Sequence, residues 1–447
     1  MEINLKISQK HTIKPSFPTP NHLRIFKLSL LDQLSHAAYG SMLLFYSVHK
    51  PVDVLERSHL LKKSFSEALT RFYPLAGRIK DNSVIECNDE GAVFIEAKAD
   101  CFLSQALENP NNEMIRKFLP IENIKFSSEP EKSCLLLVQA SFFACGGFAI
   151  GVCISHKIAD ASTVCTFIKG WAATASGLES LDDETFRPNF NASSIFPPQK
   201  LPSRLAMELN KENCATKRYV FDASKITALK AKAASQTVPH PTRVEAVTAL
   251  IWKCATKAAT VRLNSTQPKE FVLAQAVNIR KKMHRLSENT IGNMMGHFAV
   301  RAPDSQTNLA SLVANIRKGM KDFDENYVTK LVQGNAFMAI MEALKEMGSL
   351  IHGSGNNTEF YIVSSLCKFP FYGIDFGWGK PSWVVPPMES FKNIVALIDS
   401  NDGDGIEAWV ILKEEDMTIF ERDQELLEFA SSNPSVLINT IMPNSCL

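Results

Sequence analysis

Two apolar rhythms alternate along the chain. In residues 54–72 the leucines Leu55, Leu60, Leu61 and Leu69 recur at helical spacing. That pattern stops at Phe72-Tyr73-Pro74-Leu75-Ala76-Gly77-Arg78, where proline and glycine end helices. Residues 223–234, 242–259, 310–325, 335–347 and 414–429 also predict helices. Short apolar runs at 41–48, 216–221, 271–277 and 360–365 predict buried strands. Residues 84–87 and 92–97 predict a hairpin across Asn88-Asp89-Glu90-Gly91. Residues 394–398 and 407–412 predict another across Asn401-Asp402-Gly403-Asp404-Gly405. Residues 1–20, with Pro15, Pro18 and Pro20, read as a loop-like arm, and the fold is expected to begin at residues 28–32.

Residues 134–155 are almost wholly apolar and about as long as a membrane span. Gly146-Gly147 divides the run and Gln139 lies inside it, so two buried strands joined by a tight turn explain it better. The second strand runs straight into His156, and Asp160 is placed to cap a helix over 161–171. Proline, asparagine and acidic residues gather from 176 to about 204. A chain of 447 residues exceeds what one core supports. The expected division is residues 1–190, a crossover linker at 191–215, and residues 216–447. Both halves mix helices with antiparallel hairpins, and no repeat is visible.

Net charge is +1, which gives no electrostatic case for nucleic acid or an anionic membrane. Ten cysteines form no C-x-x-C pair, which argues against a zinc site and fits a reducing, cytoplasmic compartment. The N-terminal residues lack the apolar core of a signal peptide. The N-x-S/T triplets at Asn191, Asn264 and Asn356 then read as accidental, and Ser445-Cys446-Leu447 lacks the central basic residue of a peroxisomal signal.

His156-Lys157-Ile158-Ala159-Asp160 is the chemical candidate. A strand end beside a helix start holds side chains rigidly, and an imidazole can take a proton from a hydroxyl and later return it. The same spacing in His49-Lys50-Pro51-Val52-Asp53 reads as a loop broken by Pro51. From the residues alone, a catalytic base and a satisfied core histidine stand level at His156. No G-x-S-x-G, G-x-G-x-x-G, Walker or H-E-x-x-H motif is present, and Asp375-Phe376-Gly377 lacks the rest of a kinase signature. Asp375-Phe376-Gly377-Trp378-Gly379 reads as a glycine bend around a packed Trp.

Together, however, these two motifs resemble the plant BAHD acyl-CoA-dependent acyltransferases in content, order and separation. So do residues 72–78, Gln275-Ala276-Val277-Asn278-Ile279-Arg280, Gly292-Asn293, Pro18-Thr19-Pro20 and Leu28-Ser29-Leu30-Leu31-Asp32. Within the family the chain looks most like the group with vinorine synthase, deacetylvindoline acetyltransferase and limonoid acetyltransferases. The resemblance implies an α/β (α+β) fold of two chloramphenicol-acetyltransferase-like domains with a tunnel between them. It implies a monomer using acyl-CoA, chiefly acetyl-CoA, as co-substrate and a small hydroxylated acceptor, with no bound cofactor or metal.

It also assigns the catalytic set His156, Asp160 and Asp375. His156 is the general base, no acyl-enzyme forms, and Asp160 turns away to pair with Arg280. Asp375, Gly377, Trp378 and Gly379 favour a structural turn. Ser364-Ser365-Leu366 stands where many relatives have Thr-Ser-Trp. Ser364 keeps a hydroxyl donor, and Leu366 widens the acceptor side for a bulky apolar scaffold. Ala161 replaces a common glycine. Arg243, Lys253, Lys281 and Lys282 are candidates for the CoA phosphates. The acceptor class expected is a triterpenoid/limonoid or alkaloid alcohol. N-acylation of a polyamine, or a non-catalytic binding relative, are the alternatives.

Overall fold

The computed structural model describes residues 3–47, 53–120, 133–177, 186–201, 213–263, 270–302, 308–352, 358–386 and 391–437. His49, Asn264, Asn356, residues 202–212 of the expected linker and the C-terminal tripeptide lie outside them. Among the described residues, sixteen strands form three sheets. The first runs β1 (Leu5–Ile13), β6 (Ala92–Ala99), β7 (Leu136–Phe142), β8 (Phe148–Ser155), β3 (Tyr39–Tyr46) and β13 (Trp383–Val385). The second runs β11 (Met295–Ala302), β10 (Glu270–Asn278), β12 (Thr358–Ser365), β14 (Ile394–Asp399), β15 (Ile406–Lys413), β9 (Cys214–Phe221) and β16 (Ser431–Ser432). A small sheet holds β2 (Ile25–Lys27), β5 (Val84–Glu86) and β4 (Arg78–Lys80).

The apolar run 134–155 becomes the antiparallel pair β7–β8, buried at every position. Both faces are covered, which is why no alternation is visible in the sequence. One face meets Phe65, Phe167 and Trp171 from the helices Val54–Arg71 and Ala161–Ser176. The other meets Leu103, Phe118 and, from the second half, Trp383, Ala396 and Trp409. This shared cluster locks the halves together, and Trp383 and Trp409 lie 6.1 Å apart across it. Residues expected in the second half also return to the first: β13 pairs with β3, and Phe371, Ile374 and Phe376 enter its core.

Three expectations need correction. Residues 5–13 are no arm; they form β1 against β6. It is an edge strand with mostly exposed, polar side chains, so it carries little apolar signal. Residues 84–87 and 92–97 are not a hairpin. β5 pairs with β2 and β4, while β6 pairs with β1 and β7. The Asp89 carboxylate accepts from Thr19 N at 3.0 Å and Thr19 Oγ1 at 2.6 Å, tying the intervening bend to residue 19 as the chain crosses between sheets. Residues 414–429 form two helices, Glu414–Phe420 and Gln424–Phe429, because Asp423 caps the second through Glu425 N and Leu426 N. Among the described residues no helix is long and apolar enough to cross a membrane.

Candidate active site

β8 delivers His156 to the seam between the two large sheets, and His156 N is held by Ala38 O at 2.8 Å. Four residues later Asp160 caps the helix Ala161–Ser176 by accepting from Thr163 N at 2.9 Å. The same carboxylate accepts from Arg280 Nη1 at 2.6 Å, Arg280 Nη2 at 3.0 Å and Met294 N at 3.0 Å. Four N–H donors saturate it, and none belongs to His156. Arg280 in turn donates to Thr290 O and Gly292 O, so one buried guanidinium ties the helix start to the 290–294 loop. Both partners are almost fully buried. Removing one member of such a pair costs about 3–5 kcal/mol, because the other is left charged and unpaired. Asp160 therefore holds the loop rather than the substrate.

What touches His156 is Asn293, from the Gly292-Asn293 pair. Asn293 Nδ2 donates to His156 O at 2.7 Å and to Asp32 Oδ1 at 2.9 Å. Its Oδ1 must then accept, and it does so from His156 Nδ1 at 2.9 Å. The network fixes the tautomer: Nδ1 carries the hydrogen and Nε2 keeps a lone pair. Asp32 anchors the chain of contacts. It accepts Asn293 N and Nδ2, Ser29 N and Ser29 Oγ. Burial raises its pKa while those donors oppose the rise. A Cβ on Gly292 would sit 3.1 Å from both Asp32 oxygens, and its φ is +126°, so only glycine suits this approach. In the sequence, Asp32 and Asn293 stand out only as part of the family pattern. Their partnership spans 261 residues and leaves no local trace.

His156, Ser364 and Leu366 line one cavity of about 120 Å³, together with Met42, Val164 and Phe369. The wall is the seam itself: Gly40–Met42 of β3 on one side, and the ends of β10, β12 and β14 on the other. Leu366 is 3% exposed. The His36 ring lies 4.8 Å from that of His156, and its Nε2 is buried without a partner among the described residues. His297 shares a face of β11 with the cavity-lining Met295. It is exposed and does not line the cavity, and desolvation, with a smaller push from the neighbouring His156, lowers its pKa to about 4. Sequence reasoning missed both histidines, which belong to no motif.

Asp375 is not in this cavity wall. Its Oδ1 accepts from Gly377 N at 2.7 Å and Gly379 N at 2.9 Å, closing the glycine bend. Gly377 and Gly379 have φ of +94° and +107°. The closed bend drives Phe376, 1% exposed, against Trp171 at 4.8 Å. It also sets Trp378 edge-on to Phe148, with the Arg57 guanidinium 5.2 Å from the Trp378 ring.

The four cations expected near CoA phosphates all have acidic partners within the fold: Arg243 with Asp399, Lys253 with Glu425, Lys281 with Glu288 and Lys282 with Asp324. None lines the cavity. Among the described residues no group of three or more His, Cys, Asp or Glu could hold a metal ion.

Comparison with known proteins places these features in context. A family model described as "Transferase: Transferase family" matches residues 3–427. A limonoid 1-O-acetyltransferase of Citrus sinensis is 37% identical over 455 residues, spanning 98% of this chain and 100% of that one. A BAHD acyltransferase of Arabidopsis thaliana is 38% identical over 451 residues, spanning 98% and 100%. The crystal structure of vinorine synthase superposes with a TM-score of 0.83 at 32% identity, covering 96% of this chain and 99% of that one.

Proposed function

Since the chain belongs to the BAHD acyltransferases of the Transferase family, we propose that it moves an acyl group, chiefly acetyl, from acyl-CoA to a hydroxyl of a plant specialised metabolite. One observation carries this reading: the Asp32–Asn293 pair holds His156 with Nδ1 protonated and Nε2 free as a base. His156 Nε2 takes the proton of the acceptor hydroxyl as its oxygen attacks the thioester carbonyl. The tetrahedral intermediate collapses with cleavage of the C–S bond. The departing CoA thiolate takes the proton back from Nε2, which leaves the enzyme unchanged and no acyl group on it.

Asp160 and Arg280 are positioning residues in this account, and Asp375 closes a structural turn. Ser364 is the hydroxyl nearest in kind to an oxyanion donor, and Leu366 gives the wall an apolar face for a bulky terpenoid-like or alkaloid-like alcohol. The test incubates purified protein and labelled acetyl-CoA with a panel of hydroxylated triterpenoids and alkaloids. Product is read by mass spectrometry and free CoA by thiol titration. The account expects one thiol released per labelled ester. No ester across acetyl-CoA and longer acyl-CoAs would overturn it.

A further inference from the structure

The crossover between the two halves is bonded to both segments that carry the His156 support. Asp32 sits on the short helix Leu30–Leu34, and Asn293 directly follows residues 289–292. At one end of the crossover Asn189 forms a parallel bridge with Thr290. Asn189 N donates to Asn289 O at 3.0 Å, and Ile291 N donates to Asn189 O at 2.8 Å. Asn191 Nδ2 donates to Arg285 O at 3.1 Å, and its Oδ1 accepts from Thr290 Oγ1 at 3.4 Å. At the other end Phe196 O accepts from Leu30 N at 3.0 Å. The buried Gln33 side chain clasps the backbone of Gln199, donating to its O at 3.1 Å and accepting from its N at 2.8 Å. Gln33 Nε2 also donates to Asn82 O at 3.1 Å. The Gln33 carbonyl accepts from Lys157 Nζ at 3.0 Å, one residue past His156.

Apolar contacts anchor the same segment in both cores. Phe190 packs on Phe26 and Tyr73 of the first half, with ring centroids 5.7 and 5.1 Å apart. Phe196 is buried with Leu30, Leu31 and Leu250 in the core of the second half. Asp32 and Asn293 come from opposite halves of the chain, and the bond to His156 Nδ1 holds only while they stay in register. Their own contact joins the halves once, and residues 189–199 join the same two segments a second time. A closed ring of contacts resists sliding that a single contact permits. Misplacing a positioned group by about 1 Å can cost about a hundredfold in rate.

Resting on the acyl-transfer reading, we infer that residues 189–199 form a strap that holds the catalytic base in its working tautomer, with Gln33 and Asn191 as its positioning side chains. None of these residues lines the cavity, so the strap acts only through Asp32 and Asn293.

The test compares Gln33→Leu and Asn191→Ala with wild type. Asn191 is half-buried, so its variant decides the matter if the buried Gln33 change impairs folding. Gln199→Ala is the control: its side chain is exposed and reaches only Pro197 O, while Gln33 holds its backbone. Nitrogen NMR on protein carrying isotope-labelled histidine reads the His156 tautomer, assigned through His156→Ala. Wild type and Gln199→Ala are expected to show Nδ1 protonated and Nε2 bare. Gln33→Leu and Asn191→Ala are expected to show mixed tautomers, with kcat lower by about ten- to a hundredfold and KM for acetyl-CoA within about twofold of wild type. A wild-type tautomer, or a wild-type kcat, in the folded variants overturns the inference and leaves the acyl-transfer reading standing. If wild type transfers no acyl group, the acyl-transfer reading fails, and the tautomer spectra alone still decide the strap.

Discussion

Replacing Arg280 by Met is the perturbation that probes the loop most sharply. The guanidinium gives Asp160 two hydrogen bonds, at 2.6 and 3.0 Å, and also satisfies the carbonyls of Thr290 and Gly292. Methionine fills similar space and donates nothing. Asp160 is 3% exposed and would keep only Thr163 N and Met294 N. Stability should fall by about 3–5 kcal/mol, a large share of a typical total of about 5–15 kcal/mol. Asp160→Asn should cost a similar amount, because it leaves the buried Arg280 guanidinium without its countercharge. The double variant should be more stable than the two single losses sum to, with a coupling of about 2 kcal/mol or more. Urea denaturation followed by tryptophan fluorescence reads all four proteins, and thiol release at a temperature where each is folded reads activity. If Asp160 only holds the loop, Arg280→Met and Asp160→Asn should lower kcat alike. Arg280→Met within about 1 kcal/mol of wild type would refute the energetics. Full kcat in Arg280→Met with none in Asp160→Asn would show that Asp160 acts in the chemistry.

Other parts of the site yield separate expectations. Asn293→Ala removes the contact that selects the His156 tautomer, so kcat should fall by about a hundredfold with little change in KM for acetyl-CoA. A parallel fall in acetyl-CoA affinity would point to a collapsed tunnel instead. Asp375→Ala should cost about 1–3 kcal/mol in urea denaturation, for two stranded N–H groups, while kcat per folded molecule stays unchanged. A selective loss of kcat would make Asp375 catalytic. His36 has a pKa near 4 when folded, against 6.5 ordinarily. The unfolded chain therefore binds this proton first. The folded state is favoured above about pH 6.5 and loses stability as pH falls towards 4, by about 1.4 kcal/mol per unit. Urea midpoints from pH 5 to 7 should show a shallower slope in His36→Gln, and identical slopes would contradict the assignment.

How legible this was in the sequence varied by element. β7–β8 and β14–β15 were readable because their partners are neighbours in sequence and their apolar runs are continuous. β1 was not, because its partner β6 lies some eighty residues away and its outward side chains are Lys, Gln and His. The bend at Asn88–Gly91 has hairpin residues, but a tertiary contact from Asp89 to Thr19 redirects it. In the site, His156 announced itself by the strand-to-helix junction. The tautomer that matters to its chemistry depends on Asn293 and Asp32, which only the folded seam brings together. The acidic partners of Arg243, Lys253, Lys281 and Lys282 were equally invisible, since composition shows that charges balance but not which ones meet.

The central claim is that His156 Nε2 moves the acceptor proton. Thiol release from acetyl-CoA with a saturating hydroxylated acceptor measures it directly, in wild type and in His156→Ala with an unchanged urea midpoint. The account expects a loss of about 10² to 10⁴ in kcat, the usual contribution of a positioned base. Equal rates in the two proteins would contradict it.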